Sequence, residues 1–475
     1  MDIGQLTLLF REFSGKEPDV ISPLPPSGSH RKYFRLTSGV FSAIGVYNDD
    51  LNENKAFLTF TRHFLSKKLH VPELYGVSAD EHYYLLQDLG DTMLKTLIDN
   101  QSDAFEFPPT MIPWYKKALR ELARFQVEGH RGLDYSACSP RDRFDRQSVL
   151  WDLNHFKYFF LKISGIPFDE QKLEHDFHAF ASLLEEADPG FFLYRDFQSR
   201  NIMIHENECY FIDYQGGRRG ALQYDPASLL FEARTNIPFE TREQLLEYYL
   251  DEVTALTNTD RRQFMALFYP FALVRVLQAM GTYGLRGWVE KKPLFLQSVP
   301  FAINNLKWLL GDNRIPTSFP ALRQVLTDIT RTEKLLVNIP VRKDKLTVRI
   351  ISFSYRNPIP DDLSGNGGGF VFDCRGIHNP GRYDEYKMLT GRDEAVQNFF
   401  REKSDMDQFL ADVFSMTDRT ISTYVERNYH HLQVCFGCTG GRHRSVFAAE
   451  RLAERLKQNP NVIVELEHRE MDMKA

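Results

Sequence analysis

The chain has 475 residues, of which 43% are hydrophobic and 26% charged, with a formal net charge of −6 at pH 7. That length fits about two to four ordinary domains, and the mild acidity argues against a protein built mainly for non-specific nucleic-acid binding, so RNA contact is left unsupported by net charge. No apolar run approaches the roughly 20 residues that span a bilayer, and Met1 to Phe10 has neither the basic start nor the cleavage site of a signal peptide, so no membrane association is expected.

The first 90 residues read as a small lobe. Residues 3–14 have the spacing of a short amphipathic helix. A turn-rich loop from Ile21 feeds a strand that ends at Leu36, and Phe41–Tyr47 is its partner. A helix over 54–68 follows, then Val71–Tyr75 and the strand Tyr83–Gln87. Ser27, Gly28 and Ser29 form a turn whose backbone amides suit phosphate oxygens, with Arg31 as a neighbouring cation. Gln87 to Gly90, including Leu89, is where an adenine edge would meet backbone groups.

Residues 91–336 read as a helical large lobe. Leu119, Leu122, Ala123 and Phe125 mark a helix over 110–128, and 144–163 is a second, unusually aromatic one with Asp152, Asn154 and His155 available to a cleft. Its aromatic stripe reads first as core. A helix over 169–187 leads into the informative stretch, Phe191 to Ile204. Apolar runs enter and leave it, and between them stand Arg195, Asp196, Gln198, Ser199, Arg200 and Asn201, too many polar groups in succession for a core. A further apolar run, Cys209 to Ile212, stops at Asp213. Short strands closing on each other would bring Asp196, Asn201 and Asp213 to one end of a hairpin. In phosphoryl transfer, an aspartate takes or orients the proton of the attacking hydroxyl, while an Asn and a second Asp hold magnesium against the nucleotide phosphates. The spacing Asp196-(x4)-Asn201, then Asp213-Tyr214-Gln215-Gly216, follows that pattern, with Tyr194 where protein kinases carry His and Tyr214 where they carry Phe. The plain alternative is a polar turn, which such residues form unaided. Asp225 before Pro226 reads as a helix N-cap. Residues 239–312 read as all helical, with Arg275, Gln278 and Tyr283 on a cleft face.

Beyond a linker over 337–346, strands alternate with helices through residue 475. That alternation indicates a small α/β domain with a mostly parallel sheet. Between the strand His431–Phe436 and a helix from Ser445 lies a glycine-rich loop containing Cys438, Thr439, Gly440, Gly441, Arg442, His443, Arg444 and Ser445. Backbone amides at a helix start, joined by arginines, make a phosphate-binding site. The same loop spells Cys438-(x5)-Arg444-Ser445, the order used by tyrosine phosphatases, although no general-acid loop accompanies it. A tight turn with a solvated basic face is the structural alternative. The five cysteines, Cys138, Cys209, Cys374, Cys435 and Cys438, are irregularly spaced, which fits reduced thiols in the cytoplasm better than disulfide or zinc chemistry.

Two resemblances follow from these motifs. Ser29-His-Arg-Lys-Tyr-Phe-Arg35, Leu86-Gln-Asp-Leu-Gly-Asp91, Tyr194 to Asn201, Ile212 to Gln215, Tyr224 to Leu230 and Arg143-Phe-Asp-Arg146 occur in the order found in aminoglycoside/choline-kinase-like phosphotransferases. The chain resembles most the branch of anomeric N-acetylmuramate and N-acetylglucosamine kinases. Phe372 to Pro380, Leu389-Thr-Gly391 and Gly437 to Ser445 resemble the C-terminal domain of the RNase adapter protein RapZ. The resemblances imply an α+β kinase-like two-lobed fold followed by a small α/β domain over 345–475. They imply ATP and Mg2+ as cofactors, with Asp196 as catalytic base and Asn201 and Asp213 as metal ligands. Ser27, Gly28, Ser29, Arg31, Gln87 and Leu89 would bind the nucleotide; since the second strand, Ala43-Ile-Gly-Val46, carries no lysine, the phosphate-clamping cation would be Arg31 or Lys32. A small-molecule sugar is the implied substrate in peptidoglycan recycling. Because the RapZ family is tied to glucosamine 6-phosphate sensing and small-RNA turnover, a phosphosugar effector is implied at Cys438–Ser445. The alternatives are an amino-sugar sensor that contacts RNA or a protein partner, a choline or aminoglycoside kinase, and a phosphatase acting through Cys438.

Overall fold

A computed structural model describes residues 2–25, 31–101, 106–312, 314–335, 345–362, 369–427, 429 and 431–472. Most of the glycine-rich loop that the sequence places over 365–369, and residues 337–344 of the linker over 337–346, lie outside the described residues. The chain divides into two compact units, Met1–Lys291 with Phe295–Ile339, and Lys292–Leu294 with Pro340–Ala475.

The first unit opens with helix α1 (Ile3–Ser14), capped by the Asp2 side chain on Gly4 N and ended by Gly15 at φ +73°. Its Leu6, Leu9 and Phe10 pack with Phe34, Leu36, Ala43, Tyr83 and Leu85 of a five-stranded antiparallel sheet. The strands are β1 (Val20–Pro23), β2 (Lys32–Ser38), β3 (Phe41–Tyr47), β4 (Leu74–Val77) and β5 (Tyr83–Gln87), in the order β1-β2-β3-β5-β4. Alternation of buried residues along β2 follows the two-residue period of a strand with one face in the core. β1 is an edge strand that the turn-rich sequence around it concealed. Helix α2 (Leu51–Ser66), with Asp50 capping Glu53 N at 3.0 Å, lies between β3 and β4 in the chain.

The larger part of this unit is helical: α3 (Leu94–Gln101), α4 (Ile112–Val127), α5 (Arg146–Phe156), which runs through a π-helical turn (Lys157–Leu161) into α6 (Lys162–Ser164), and α7 (Glu170–Leu184). Strands β6 (Phe191–Leu193), β7 (Ile202–His205), β8 (Glu208–Phe211) and β9 (Arg218–Gly220) come next. They are followed by α8 (Tyr224–Leu230), α9 (Phe239–Leu256), α10 (Arg261–Gly284), α11 (Val299–Leu310) and α12 (Pro320–Arg331). The aromatic stripe of α5 is mostly core, since Phe156 and Phe160 are fully buried, while Trp151 and Tyr158 remain exposed. The continuous helix Arg261–Val289 is long and apolar enough overall to cross a membrane, although Arg275 interrupts its apolar run; 72% of its apolar window is buried inside the protein.

In the second unit, β10 (Leu346–Ser354), β11 (Gly369–Asp373), β12 (His431–Cys438) and β13 (Val462–His468) form a sheet of order β11-β12-β10-β13. Every pairing in it is parallel. Helices α13 (Glu394–Lys403), α14 (Met406–Glu426) and α15 (Arg444–Leu456) contribute Phe399, Phe400, Leu410, Val413 and Leu452 to its core, and a short turn of helix, α16 (Arg469–Asp472), ends the described chain. The first unit thus combines an antiparallel sheet with a helical part, and the second is a small α/β domain with a parallel sheet.

Candidate active site

Two β pairings build the polar knot. β7 pairs with β8 through Ile202↔Phe211, so Asn201 and Asp213 stand at the same end of that hairpin. The strand entering the knot, β6, pairs with β9 instead. Asp196 therefore reaches the hairpin end from a separate two-stranded ribbon. Asn201 Nδ2 donates to Asp196 O at 2.9 Å and faces Asp213 Oδ2 at 3.4 Å, so the three residues do converge.

The backbone here is bent hard. Arg195 has φ +83° and Asp213 φ +68°, left-handed conformations that non-glycine residues adopt only when their surroundings hold them. Asp225 supplies much of that hold. Its carboxylate accepts Tyr194 N at 2.7 Å, Arg195 N at 3.0 Å and Gln126 Nε2 at 3.1 Å. It is not the N-cap of α8, as its place before Pro226 indicated; the helix already begins at Tyr224, and Asp225 is fully buried. Burial pushes its pKa up to about 7 against those three donors, which pull it down. Tyr194 is buried as well, and its hydroxyl donates to Ile212 O, tying the loop to the residue before Asp213. An aromatic side chain thus packs where kinases place His. Tyr214 stacks on Phe57 of α2 at 5.0 Å, and its hydroxyl lies 2.6 Å from Thr61 Oγ1.

Arg31, just before β2, is almost completely buried, with its guanidinium 5.6 Å above the Phe57 ring. Its Nη2 lies 3.3 Å from Glu53 Oε1 and its Nη1 4.0 Å from Asp213 Oδ1. Kinases make a Lys–Glu pair between a strand and the small-lobe helix; here Arg31, just before β2, pairs with Glu53 of α2. Gln215 Nε2 donates to Asp213 Oδ1 at 2.7 Å and to Glu53 Oε1 at 3.2 Å. Glu53 had no distinguishing mark in the sequence beyond a D-x-x-E helix start, and Gln215 none beyond its place after Asp213.

Ser27, Gly28 and Ser29 lie outside the described residues. Gln87 closes β5 opposite Ala43, and its N–H is committed to Glu73 O at 2.9 Å. Leu89 is buried. Between them Asp88 accepts Arg35 Nε at 2.7 Å and Ser42 Oγ, while Arg35 Nη2 also reaches Asp91 at 2.8 Å. Burial would raise the Asp88 pKa, but the Arg35 and Ser42 hydrogen bonds outweigh it and hold the group below the usual range. The two motifs that hold Arg35 and Asp88 are therefore one brace in space.

Of the cleft residues named from sequence, Asp152 grips Arg195 and His155 Nε2 lies 3.3 Å from Thr282 Oγ1. Arg275 donates to Ser228 Oγ at 3.1 and 3.0 Å and to Gln278. Tyr283 is pushed up to about 12 by burial first and by Glu232 second, with Arg275, Arg200 and Arg234 opposing. Glu232 also accepts Ser199 N at 2.9 Å, which places this charged rim beside the loop of Asp196.

The donor set suits a hard divalent cation. With Nδ2 of Asn201 committed to protein acceptors, Oδ1 is its remaining ligand atom, and Asp213 adds carboxylate oxygen. No group of three acidic, His or Cys residues that would cage a metal occurs among the described residues. A cation held by two protein oxygens and completed by phosphates is the arrangement magnesium favours.

In the second unit, all three motifs singled out in the sequence meet around the loop after β12. Gly391 N donates to Arg442 O at 2.9 Å, His443 Nε2 pairs with Tyr386 O at 2.9 Å, and Arg444 Nη1 donates to Arg375 O at 2.9 Å and Ile377 O at 3.0 Å. Arg444 is buried, so it braces the loop from beneath, with Nη2 3.3 Å from Thr439 Oγ1. Cys438 is buried too; its sulfur accepts Gly441 N at 3.2 Å and lies 3.2 Å from Ser445 Oγ. All five cysteines are free thiols. Among the described residues no side chain caps the start of α15 at His443, which leaves its first amides for an anion. Nothing in the sequence marked Glu470, whose Oε2 lies so close to Gly441 that a Cβ there would overlap it.

Residues 21–265 match the phosphotransferase enzyme family, and residues 346–472 match the RapZ C-terminal domain. The chain is 35% identical over 127 residues to a nucleotide-binding protein of Thermotoga neapolitana, covering 27% of this chain and 43% of the relative. A nucleotide-binding protein of Endomicrobium trichonymphae is 36% identical over 129 residues, covering 27% and 43%. The chain thus spans less than half the length of these curated relatives. Among solved structures, an ethanolamine kinase of Plasmodium vivax matches at TM-score 0.42 and 11% identity over 67% of this chain and 84% of its own. A choline kinase of Cryptosporidium parvum matches at TM-score 0.45 and 10% identity over 69% and 100%. The chain belongs to the phosphotransferase enzyme family, matched by its first unit, and its second unit carries a RapZ C-terminal domain.

Proposed function

We propose that this protein is an ATP- and Mg2+-dependent cytoplasmic kinase that phosphorylates an amino sugar, N-acetylmuramate or N-acetylglucosamine, at the anomeric hydroxyl during cell-wall recycling. The observation that carries this reading is the convergence of Asp196, Asn201 and Asp213 at one hairpin end. Asp196 orients the sugar hydroxyl and takes its proton. Asn201 and Asp213 hold magnesium, which neutralises charge on the phosphates. Arg31 is the phosphate-side cation, Ser27–Ser29 cover the phosphates, and Gln87 to Leu89 meet the adenine. Catalysis then comes mostly from alignment and preorganised charge.

The missing strand lysine speaks for a non-catalytic sensor; the Arg31–Glu53 pair supplies a cation at that place and supports the enzyme. In the second unit, the uncapped amides of α15 and the loop Cys438–Ser445 support a phosphosugar effector site. A phosphatase at Cys438 receives no support, because the thiol is buried and Arg444 is committed to backbone carbonyls.

The test is phosphate transfer from ATP with Mg2+ to a panel of N-acetylmuramate, N-acetylglucosamine, choline and an aminoglycoside. Transfer to an amino sugar that disappears in Asp196→Ala, with an unchanged melting temperature, is the expected result. Transfer to none of them, or transfer surviving in Asp196→Ala, overturns the reading.

A further inference from the structure

Glu53, Gln215, Asp213 and Arg31 form a closed polar ring. Gln215 Nε2 donates to Asp213 Oδ1 and to Glu53 Oε1, at 2.7 and 3.2 Å. Arg31 approaches the same two oxygens, Glu53 Oε1 at 3.3 Å and Asp213 Oδ1 at 4.0 Å. The ring joins three separate parts of the chain: the first turn of α2, the entry to β2, and the turn after β8. Glu53 is held from its other side too, since Asn48 Nδ2 donates to Oε2 at 2.9 Å.

The orientation of the Gln215 amide follows from its partners. Both are carboxylate oxygens, which only accept, so the nitrogen must face them. Asp213 Oδ1 thus takes the close Gln215 hydrogen bond and faces Arg31 at 4.0 Å, whereas Oδ2 takes only the long 3.4 Å contact from Asn201 Nδ2. Asp213 sits at φ +68°, where its side-chain direction is not set by an ordinary strand or helix and depends on such contacts.

We propose that Gln215 is a positioning residue: it fixes Asp213 so that Oδ2 is the metal-binding oxygen, and it registers that oxygen against Glu53 of the small lobe. This rests on the reading of Asp213 as a metal ligand. Groups that hold a ligand in place typically contribute tenfold or more to metal affinity. The inference also assigns a reason for Gln at this position. A glutamate of the same shape would set three carboxylates against one another, whereas an amide donates to both of its neighbours.

The experiment is a titration of the full chain with Mn2+, followed by electron paramagnetic resonance in the presence of a non-hydrolysable ATP analogue, which needs no turnover. The variants are Gln215→Met, Gln215→Glu and, as a reference, Asp213→Asn, each checked for an unchanged melting temperature without metal. Gln215→Met is expected to weaken Mn2+ about tenfold or more, and Gln215→Glu at least as much. In turnover, the Mg2+ requirement should rise while the acceptor KM stays constant. Unchanged Mn2+ affinity in Gln215→Met overturns the proposal, and tighter binding in Gln215→Glu does so as well, because it would make position 215 a ligand. If Asp213→Asn also leaves Mn2+ affinity unchanged, the metal-site reading itself fails; if only the Gln215 variants are silent, that reading stands and this inference alone falls.

Discussion

Arg195 and Asp152 meet through two parallel hydrogen bonds, Nη2 to Oδ1 at 2.6 Å and Nη1 to Oδ2 at 2.7 Å, directly behind Asp196. The same guanidinium bonds the Tyr224 hydroxyl and covers the Phe144 ring at 5.2 Å. A planar fork on a carboxylate fixes direction as well as distance, so the residue at φ +83° is locked from both its backbone and its side chain.

Removing that lock should cost both stability and rate. Asp152→Ala leaves Arg195 mostly buried and uncompensated, a change worth about 3 kcal/mol for a buried pair. A drop of several degrees in melting temperature is expected, with a fall in kcat larger than any rise in the KM for ATP. An unchanged kcat would show that the pair does not govern the position of Asp196.

Tyr194→Phe isolates one hydrogen bond. Its ring keeps the packing, while Ile212 O loses its donor in a buried setting. The expected cost is about 1–2 kcal/mol in chemical denaturation, with activity reduced but present, since Asp213 keeps its contacts to Gln215 and Asn201.

Asp225 makes stability depend on pH with a definite sign. Its folded pKa, about 7, lies above the ordinary carboxylate value because burial disfavours the charged form. Between those values the native state holds more protons than the unfolded state, so this group's contribution is full below about pH 4 and is lost as pH rises through about 7. Melting curves of wild type and Asp225→Asn from pH 4 to 8 should converge as pH rises. The amide introduced by Asp225→Asn is not isofunctional at any pH, since its NH2 group must face one of the two backbone amides, a cost of about 1–3 kcal/mol.

Gly441→Ala should damage the second unit alone. Gly441 has φ +68°, and a Cβ there would overlap Glu470 Oε2. The left-handed conformation by itself costs a non-glycine residue about 1–2 kcal/mol. Calorimetry with glucosamine 6-phosphate should show lost or weakened binding at Cys438–Ser445, while phosphate transfer without effector is retained. Binding of wild-type strength would place the effector elsewhere.

Much of this was legible in the residues themselves. The order of strands and helices follows from local periodicity, and the D-x4-N spacing with a following Asp placed phosphate chemistry on one hairpin end. The place of the loop after β12, at a strand-to-helix junction, was equally readable, because the apolar strand, the glycines and the helix that follow one another are local signals.

The residues alone thus establish the class of each unit and single out the short polar stretches that warrant chemical attention. How those stretches are held emerges only in the folded chain. Asp225 reads as a cap beside Pro226, yet its carboxylate turns to amides 30 and 31 residues earlier. Arg31 and Glu53 stand far apart in the chain with no pattern between them, yet their side chains pair at 3.3 Å. Asp152 read only as a polar residue near a cleft and Gln215 only as the neighbour of Asp213, with nothing to name their partners, and Glu470 carried no local signature at all. The physical reason is that periodicity and turn propensity are properties of neighbouring residues, whereas a buried hydrogen bond or ion pair depends on which distant segments the core brings within about 3 Å of each other.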